Sequence, residues 1–431
     1  MSSYVSQSPE LSIELENGRF PRYIPGETIV GTVSRTAPGV APEARVVVTL
    51  HGKCKSKIKI KQNQSVRRYE SEFNCLSAPL EAQILLPDAP LHIPEGSAGM
   101  SWPFALTIPS IVKDIRQSHQ KRYYYAPSSA DGVATFPPPG TFSTFSESIM
   151  RNESFRASVE YYVQATIELS HQYKGRTRKM THTVTAPFYL KTVNLGPPID
   201  DFCLRQHRMT NSVVAYRLVP GVGELTFRQK TRQAFMSSSV PRLAFNLRVT
   251  LPHTLQVENP SLIPLSLSIE ADHGSTSEII HDVPQTITIK SFSLRLKPHT
   301  TVQAEKHTCF KSDEEITLIP PTAIGALDQE VSLTITPRAG SPERPHLDLG
   351  EILDFRLRKT GIRPSFRTYN VGRSYSLVWE VQVDVVGEEL KLSHQHPVTV
   401  LAGSHELSES ERAPQEDVPG YSKGAPPAYD D

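Results

Sequence analysis

The chain has 431 residues, with 46 Lys and Arg against 45 Asp and Glu, 38% apolar residues, 36 Pro, 23 Gly and 4 Cys. At roughly 100 to 200 residues per domain this suffices for two domains with hydrophobic cores, and the near-zero net charge gives no global attraction to nucleic acid. The opening MSSYVSQSPELS lacks the apolar stretch of a signal peptide, no run of about 20 apolar residues follows, Ser2 stands where myristoylation needs Gly, and YDD carries no prenylation Cys, so a cytoplasmic chain is expected.

Short β runs broken by Pro, Gly and Asn dominate. In chain order they are LSIEL (11–15), TIVGTVS (28–34), RVVVTLHG (45–52), VEYYVQATIEL (159–169), LAFNLRVTL (243–251), TITIKSFSLRL (286–296), EVSLTITP (330–337) and YSLVWEVQVDVV (375–386). In the last, Leu377, Trp379, Val381, Val383 and Val385 point one way and Ser376, Glu380, Gln382 and Asp384 the other, which is a strand with one buried face. No long amphipathic helix appears outside the turns. Sheets packed on sheets are then the economical way to bury these faces, and the fold class read from the pattern is all-β, two consecutive β-sandwiches.

The turn-rich, weakly apolar KTVNLGPPIDD (191–201) divides the chain into an N-terminal sandwich over 8–190 and a C-terminal one over 202–402. Ser110 to Ser146, with QSHQKRYYYAPSSADG and FPPPGTF, reads as a long loop between two strands, which three adjacent tyrosines could equally anchor to the body. PRAGSPERPH (337–346) is a second exposed loop. Residues 403–431 hold seven acids and two bases and cannot bury enough surface to fold alone, so they read as a disordered acidic tail.

The chemistry of enzymes is hard to find. There is no phosphate loop ending in Lys-Ser/Thr, no G-x-S-x-G elbow, no H-E-x-x-H and no dinucleotide fingerprint, so no catalytic residues and no enzyme are expected. Cys54, Cys75, Cys203 and Cys309 are too scattered for a paired-Cys zinc site and suit reduced thiols. His394 and His396 can meet on one strand face without a Cys or acid at ligand spacing beside them, and ordinary surface histidines account for them better than a metal. No cofactor or metal is expected.

Two signals concern partners. In the tail, Pro426-Pro427-Ala428-Tyr429 combines a Pro pair held near polyproline II with an aromatic anchor two residues on, the arrangement a WW domain reads. Lys53, Lys55, Lys57, Lys59 and Lys61 recur at period 2, placing five like charges on one strand face, with Arg67 and Arg68 across a predicted hairpin. One reading is a solvated outer strand whose lysines discourage edge pairing. The other is a contact for anionic lipid or for acidic or phosphorylated cargo tails.

Together the residues resemble a known family. Ile13-Glu-Leu-Glu-Asn-Gly-Arg-Phe20 followed by Tyr23-Ile-Pro25-Gly26-Glu27-Thr-Ile-Val-Gly31-Thr-Val33 looks like the opening of the arrestin N-terminal domain in fungal arrestin-related (alpha-arrestin) proteins and their animal arrestin-domain relatives, where the Pro-Gly-Glu turn joins the first strands. Independently of that likeness, Pro25-Gly26 makes a tight structural turn and Gly31 permits close packing. Ser101-Trp102-Pro103-Phe104-Ala-Leu106-Thr-Ile108-Pro109 resembles the family's Pro-Phe strand, with Ala105 or Leu106 in place of the second aromatic. Pro137-Pro138-Pro139-Gly-Thr141-Phe142 or Asn152-Glu-Ser154-Phe155 resembles its Pro-Pro-Ser-Phe turn, and Tyr161-Tyr162-Val163-Gln-Ala165 its Tyr-x-Val-x-Ala strand. Val249-Thr-Leu251-Pro252, Ile263-Pro264-Leu265 and Ser365-Phe366-Arg-Thr368-Tyr369-Asn370 resemble C-domain sequences more loosely.

The resemblance implies two arrestin-like (immunoglobulin-like) β-sandwiches and an adaptor. The PPxY tail would recruit a WW-domain HECT ubiquitin ligase of the Nedd4/Rsp5 type to cytosolic regions of membrane transporters or receptors, promoting their ubiquitination, endocytosis and sorting. The expected location is cytoplasmic with peripheral recruitment to plasma membrane or endosomes. The alternative is a coat or sorting scaffold resembling the retromer small subunit, independent of the ligase.

Overall fold

The computed structural model describes residues 5–8, 11–18, 20–62, 65–76, 81–113, 135–148, 150, 152–173, 176–194, 196–235, 239–338, 344–357 and 361–404. Period-2 alternation governs the architecture: each strand sends alternate side chains inward, and a face that is apolar on one side only is satisfied by a second sheet lying over it. The chain is accordingly all-β, built from several multi-stranded sheets.

In the first half a four-stranded sheet runs in the order Val5–Ser8, Leu11–Leu15, Thr28–Arg35, Met100–Thr107. A seven-stranded sheet runs Arg22–Tyr23, Arg176–Leu190, Glu153–Tyr173, Gly39–Gln62, Ser65–Asn74. Within it, Phe142–Ser148 pairs with Glu153–Tyr173 and Ala82–Ile93 with Gly39–Gln62. Ile13, Ile29, Val33 and Phe104 from the smaller sheet share one buried cluster with Val48, Leu50, Val163 and Ala165 from the larger. The second half repeats the scheme. Its four-stranded sheet is Arg205–Val214, Arg242–Leu251, Ser266–Ala271, His346–Asp348, and its eight-stranded sheet is centred on Val371–Val385 and Gln285–Ala304. Leu377, Trp379, Val381, Val383 and Val385 are all fully buried there.

Among the described residues no strand pairing of these sheets crosses the segment 191–204. The halves meet through side chains and one isolated bridge, Asn194 to Ser404, in which Asn194 N donates to the Gly403 carbonyl at 2.9 Å. The principal contact lies under the hairpin of Gly39–Gln62 and Ser65–Asn74. Asn370, 2% exposed, donates its amide to the Cys54 carbonyl (3.0 Å), the Ser56 hydroxyl (3.0 Å) and the Ser71 carbonyl (3.2 Å). Ser56 Oγ donates to the Gln303 carbonyl at 2.6 Å, and Glu305 N to Ser71 Oγ at 2.8 Å. Around this polar centre, Tyr69 packs on His307, Phe73 on Tyr369 and Phe142 on Phe366. Val302, Ala304, Cys309 and Val371 of the second half are part of the first half's buried cluster.

One expectation changes. The segment Ser110 to Ser146 is not a loop throughout. Phe142–Ser148 is a strand, anchored by Phe142 at 4% exposure, and Val112–Lys113 pairs with Thr135–Phe136. Pro137 to Thr141 is a connection held where Tyr161 Oη donates to the Pro139 carbonyl at 2.5 Å. The three adjacent tyrosines Tyr123, Tyr124 and Tyr125 lie outside the described residues. The predicted run 286–296 lies within the strand Gln285–Ala304, in which a bulge between Ile289 and Ser291 switches the inward parity from Ile287 and Ile289 to Phe292, Leu294 and Leu296.

Gly31 shows how tightly the smaller sheet is built. A Cβ there would stand 2.5 Å from the Glu14 carbonyl oxygen and 2.8 Å from the Phe104 ring. Gly31→Ala is therefore expected to lower stability by about 1–3 kcal/mol, read as a lower midpoint in urea unfolding with an unchanged slope. An unchanged midpoint would contradict this packing.

Candidate functional site

The five lysines sit on the outer face of a 24-residue strand, Gly39–Gln62, whose inner face carries Cys54 and Ile58 into the core. This strand is not at a sheet edge. Glu153–Tyr173 pairs with it on one side and Ser65–Asn74 on the other, so its lysines do not serve to block edge pairing. The predicted hairpin is present, with Lys59 opposite Arg68, Lys57 opposite Glu70, and Arg67 opposite Ile60.

Register brings acids to the lysines from both neighbouring strands, and Glu147 from Phe142–Ser148 one strand further on. Lys53 Nζ lies 2.5 Å from Glu72, Lys55 2.8 Å from Glu160, Lys57 2.6 Å from Glu70 and Lys61 3.4 Å from Glu147. The Lys57 ammonium holds the Glu70 carboxyl below the ordinary carboxylate range. Burial pushes the Glu160 carboxyl up, but the Lys55 ammonium and the Ser158 hydroxyl outweigh it and the net shift is downward. At Lys53 the hydrogen bond to Glu72 raises the ammonium's pKa. Exposed pairs of this kind add about 0–1 kcal/mol each, so their main effect is to cancel charge.

The lysine face is thus a neutralised stripe with a basic remainder. Lys59, Arg68 and Arg156 form no ion pair among the described residues, and the Arg156 guanidinium lies 6.0 Å from the exposed Phe145 ring. Lys59, Phe145 and Arg156 border a groove of about 720 Å3 that is also lined by Lys55, Lys57 and the facing acids Glu70, Glu72 and Glu160. Its mixed charge suits a ligand that exchanges ion pairs with it, such as a carboxylate- or phosphate-bearing chain, better than a neutral one. Sequence reading identified the lysines but missed Arg156 and Phe145, whose only sequence signal is that they precede and open the Glu153–Tyr173 alternation.

Pro25 and Gly26 form the expected turn. Gly26 has φ +93°, its N–H donates to the Ile108 carbonyl at 2.9 Å, and Glu27 closes the turn by accepting from Ile24 N at 2.8 Å. Pro426, Pro427 and Tyr429 lie outside the described residues.

The histidines gather in the second half, where His207 stacks against His394 (4.6 Å between ring centroids) and His396 (4.7 Å). His396 is 4% exposed and has one ring nitrogen 3.3 Å from the Pro252 carbonyl. Burial, with His207, His253 and His394 nearby, pushes its pKa down to about 4. Among the described residues no group of three or more His, Cys, Asp or Glu is placed to hold a metal ion, and no helix is long and apolar enough to cross a membrane. Cys54, Cys75, Cys203 and Cys309 form no disulfide among the described residues, and burial raises the Cys54 pKa well above its ordinary value.

No family model matches the chain, and no curated protein matches it.

The buried His396 fixes the direction of acid sensitivity. Its pKa lies below the ordinary 6.5, so the unfolded chain takes up a proton that the folded chain refuses between pH 6.5 and about 4. The stabilisation is full above pH 6.5 and is lost as pH falls through that window. Thermal melts should show the transition temperature falling across it, and His396→Asn should flatten the fall. An equal slope in the variant would contradict the assignment.

Proposed function

We propose that the chain is a non-catalytic adaptor of the arrestin-related kind. It consists of two arrestin-like β-sandwich modules, 8–190 and 202–402, and an acidic tail, 403–431, whose PPxY motif recruits a WW-domain HECT ubiquitin ligase. The observation that carries this reading is Pro426-Pro427-Ala428-Tyr429, set in a stretch with seven acids and two bases and little apolar surface of its own. The body engages a cytosolic region of a membrane transporter or receptor, and the tail brings the ligase whose own cysteine carries ubiquitin. The chain contributes proximity rather than bond-making chemistry.

The lysine-rich groove supports the cargo half of the proposal. Its paired lysines and glutamates and its free Lys59 and Arg156 can re-pair with an acidic or phosphorylated cytosolic tail. The chain works from the cytoplasm and reaches plasma membrane or endosomes peripherally, and it needs no cofactor. The ligase-independent alternative, a sorting scaffold resembling the retromer small subunit, is favoured by the buried Asn370 junction, which suits a body with a fixed arrangement of its halves.

The test is binding of a fluorescently labelled WW domain to the full chain by anisotropy. Affinity in the micromolar range is expected, with a loss of about tenfold or more in Tyr429→Ala and in Pro427→Ala. Equal binding by the variants, or none by the parent chain, would overturn the ligase reading and leave the scaffold.

A further inference from the structure

The strand Arg205–Val214 is joined to Arg242–Leu251 through an eight-residue helix, α1 (Phe227–Ala234), in which no residue is buried. It is nonetheless a defined helix. Thr226 and Gln229 form a reciprocal capping box, with Thr226 N donating to Gln229 Oε1 at 2.8 Å and Gln229 N to Thr226 Oγ1 at 3.4 Å. Gln233 ties it to the body, donating to Glu388 at 2.7 Å and accepting from Tyr216 N at 3.2 Å. Otherwise α1 stands off the sheet over a groove of about 430 Å3 lined by Leu225, Lys230, Ala234 and Leu390 among others.

The side turned away from the body is unusual for a water-facing surface. At 3.6 residues per turn, Phe227, Thr231, Phe235, Arg228 and Arg232 fall within an arc of roughly 140°, on the side away from Gln233, which ties the helix to the body. Phe227 is 87% exposed and Phe235, the C-cap residue, 82%. Their backbones stand about 12 Å apart along the axis. Arg228, Lys230 and Arg232 make no ion pair among the described residues, and the helix contains no acid.

We infer that α1 is a membrane-docking element that lies on an anionic bilayer, with Phe227 and Phe235 entering the headgroup–acyl boundary and Arg228 and Arg232 meeting lipid phosphates. Both rings are exposed over most of their surface and neither lines that groove. A protein partner would have to present two matching pockets at that spacing, whereas a lipid interface deforms around protruding rings and supplies negative charge beside each. Preformed capping and the Gln233 tether mean that the helix is ordered before it binds, so little ordering entropy opposes docking. The inference does not rest on the tail, and it assigns lipid contact to α1 rather than to the lysine strand, whose charge is largely cancelled by its own acids.

The test is sedimentation of the full chain with vesicles of phosphatidylcholine containing about 30% phosphatidylserine, against phosphatidylcholine alone. The full chain should pellet with the anionic vesicles. Phe227→Ser with Phe235→Ser, and separately Arg228→Glu with Arg232→Glu, should reduce the bound fraction about tenfold at an unchanged melting temperature, since all four side chains face solvent. In Phe227→Trp, vesicles should shift the tryptophan emission to the blue over a constant background from the buried Trp102 and Trp379. Tyr429→Ala should pellet like the parent chain, which separates this test from the ligase reading. The inference is overturned if the parent chain fails to pellet, if both double variants pellet normally, or if the emission does not shift. Loss of pelleting in Lys57→Glu with Lys59→Glu but not in the α1 variants would move the contact to the lysine face. Retention of the parent chain on polyglutamate without vesicle binding would point to an acidic protein partner instead.

Discussion

The amide of Asn370 is the group on which the relation between the halves turns. Buried beneath the lysine-bearing hairpin, it donates to the Cys54 and Ser71 carbonyls and to the Ser56 hydroxyl, which itself reaches across to the Gln303 carbonyl. An unsatisfied buried polar group costs about 1–3 kcal/mol, so removing the Asn370 amide would cost the junction both its hydrogen bonds and their satisfaction. The rings of Tyr69 and His307, and of Phe73 and Tyr369, pack in pairs beside the network. The same strand that carries the lysines outward is thereby held from behind, and the groove on its outer face inherits a rigid floor.

That rigidity matters for electrostatics. Lys53 to Lys61 could not share a strand face without repulsion unless acids stood beside them, and the neighbours supply Glu70, Glu72, Glu147 and Glu160 at hydrogen-bond or near hydrogen-bond distance. The result is a surface poised for exchange of ion pairs, in which an incoming anion competes with an internal carboxylate. Helix α1 follows a different principle: among the described residues its cations are unpaired, and its aromatic rings are already exposed. In the proposed reading, one surface exchanges ion pairs with an anionic partner and the other docks on a lipid interface.

Much of this was legible in the sequence and some of it could not be. Strict alternation over Leu377 to Val385 marks a buried face because period 2 is a local property, and Pro25-Gly26 marks a turn because positive φ favours Gly. The lysine stripe was equally plain, but its partners were not. Glu160 lies 105 residues from Lys55, and Asn370 lies 316 residues from Cys54, separations that only the folded chain brings together. The bulge at Ile289 and Ser291 was foreshadowed by the parity change from Ile289 to Phe292, which a reading of one uniform strand passes over. Helix α1 escaped because eight residues are too few for helical periodicity to stand out, although Thr226 followed by Gln229 three residues on was available as a start signal.

The central claim is that one chain joins a membrane-facing body to a ligase-binding tail, and the most direct measurement follows both ends at once. A WW-domain HECT ligase is spun with phosphatidylserine-containing vesicles, with and without the full chain, and both proteins are quantified in the pellet. The account predicts that the ligase pellets only when the chain is present, and that Tyr429→Ala leaves the chain in the pellet while the ligase stays in solution. A ligase that pellets equally with the parent chain and with Tyr429→Ala, or that never pellets although the chain does, would contradict it.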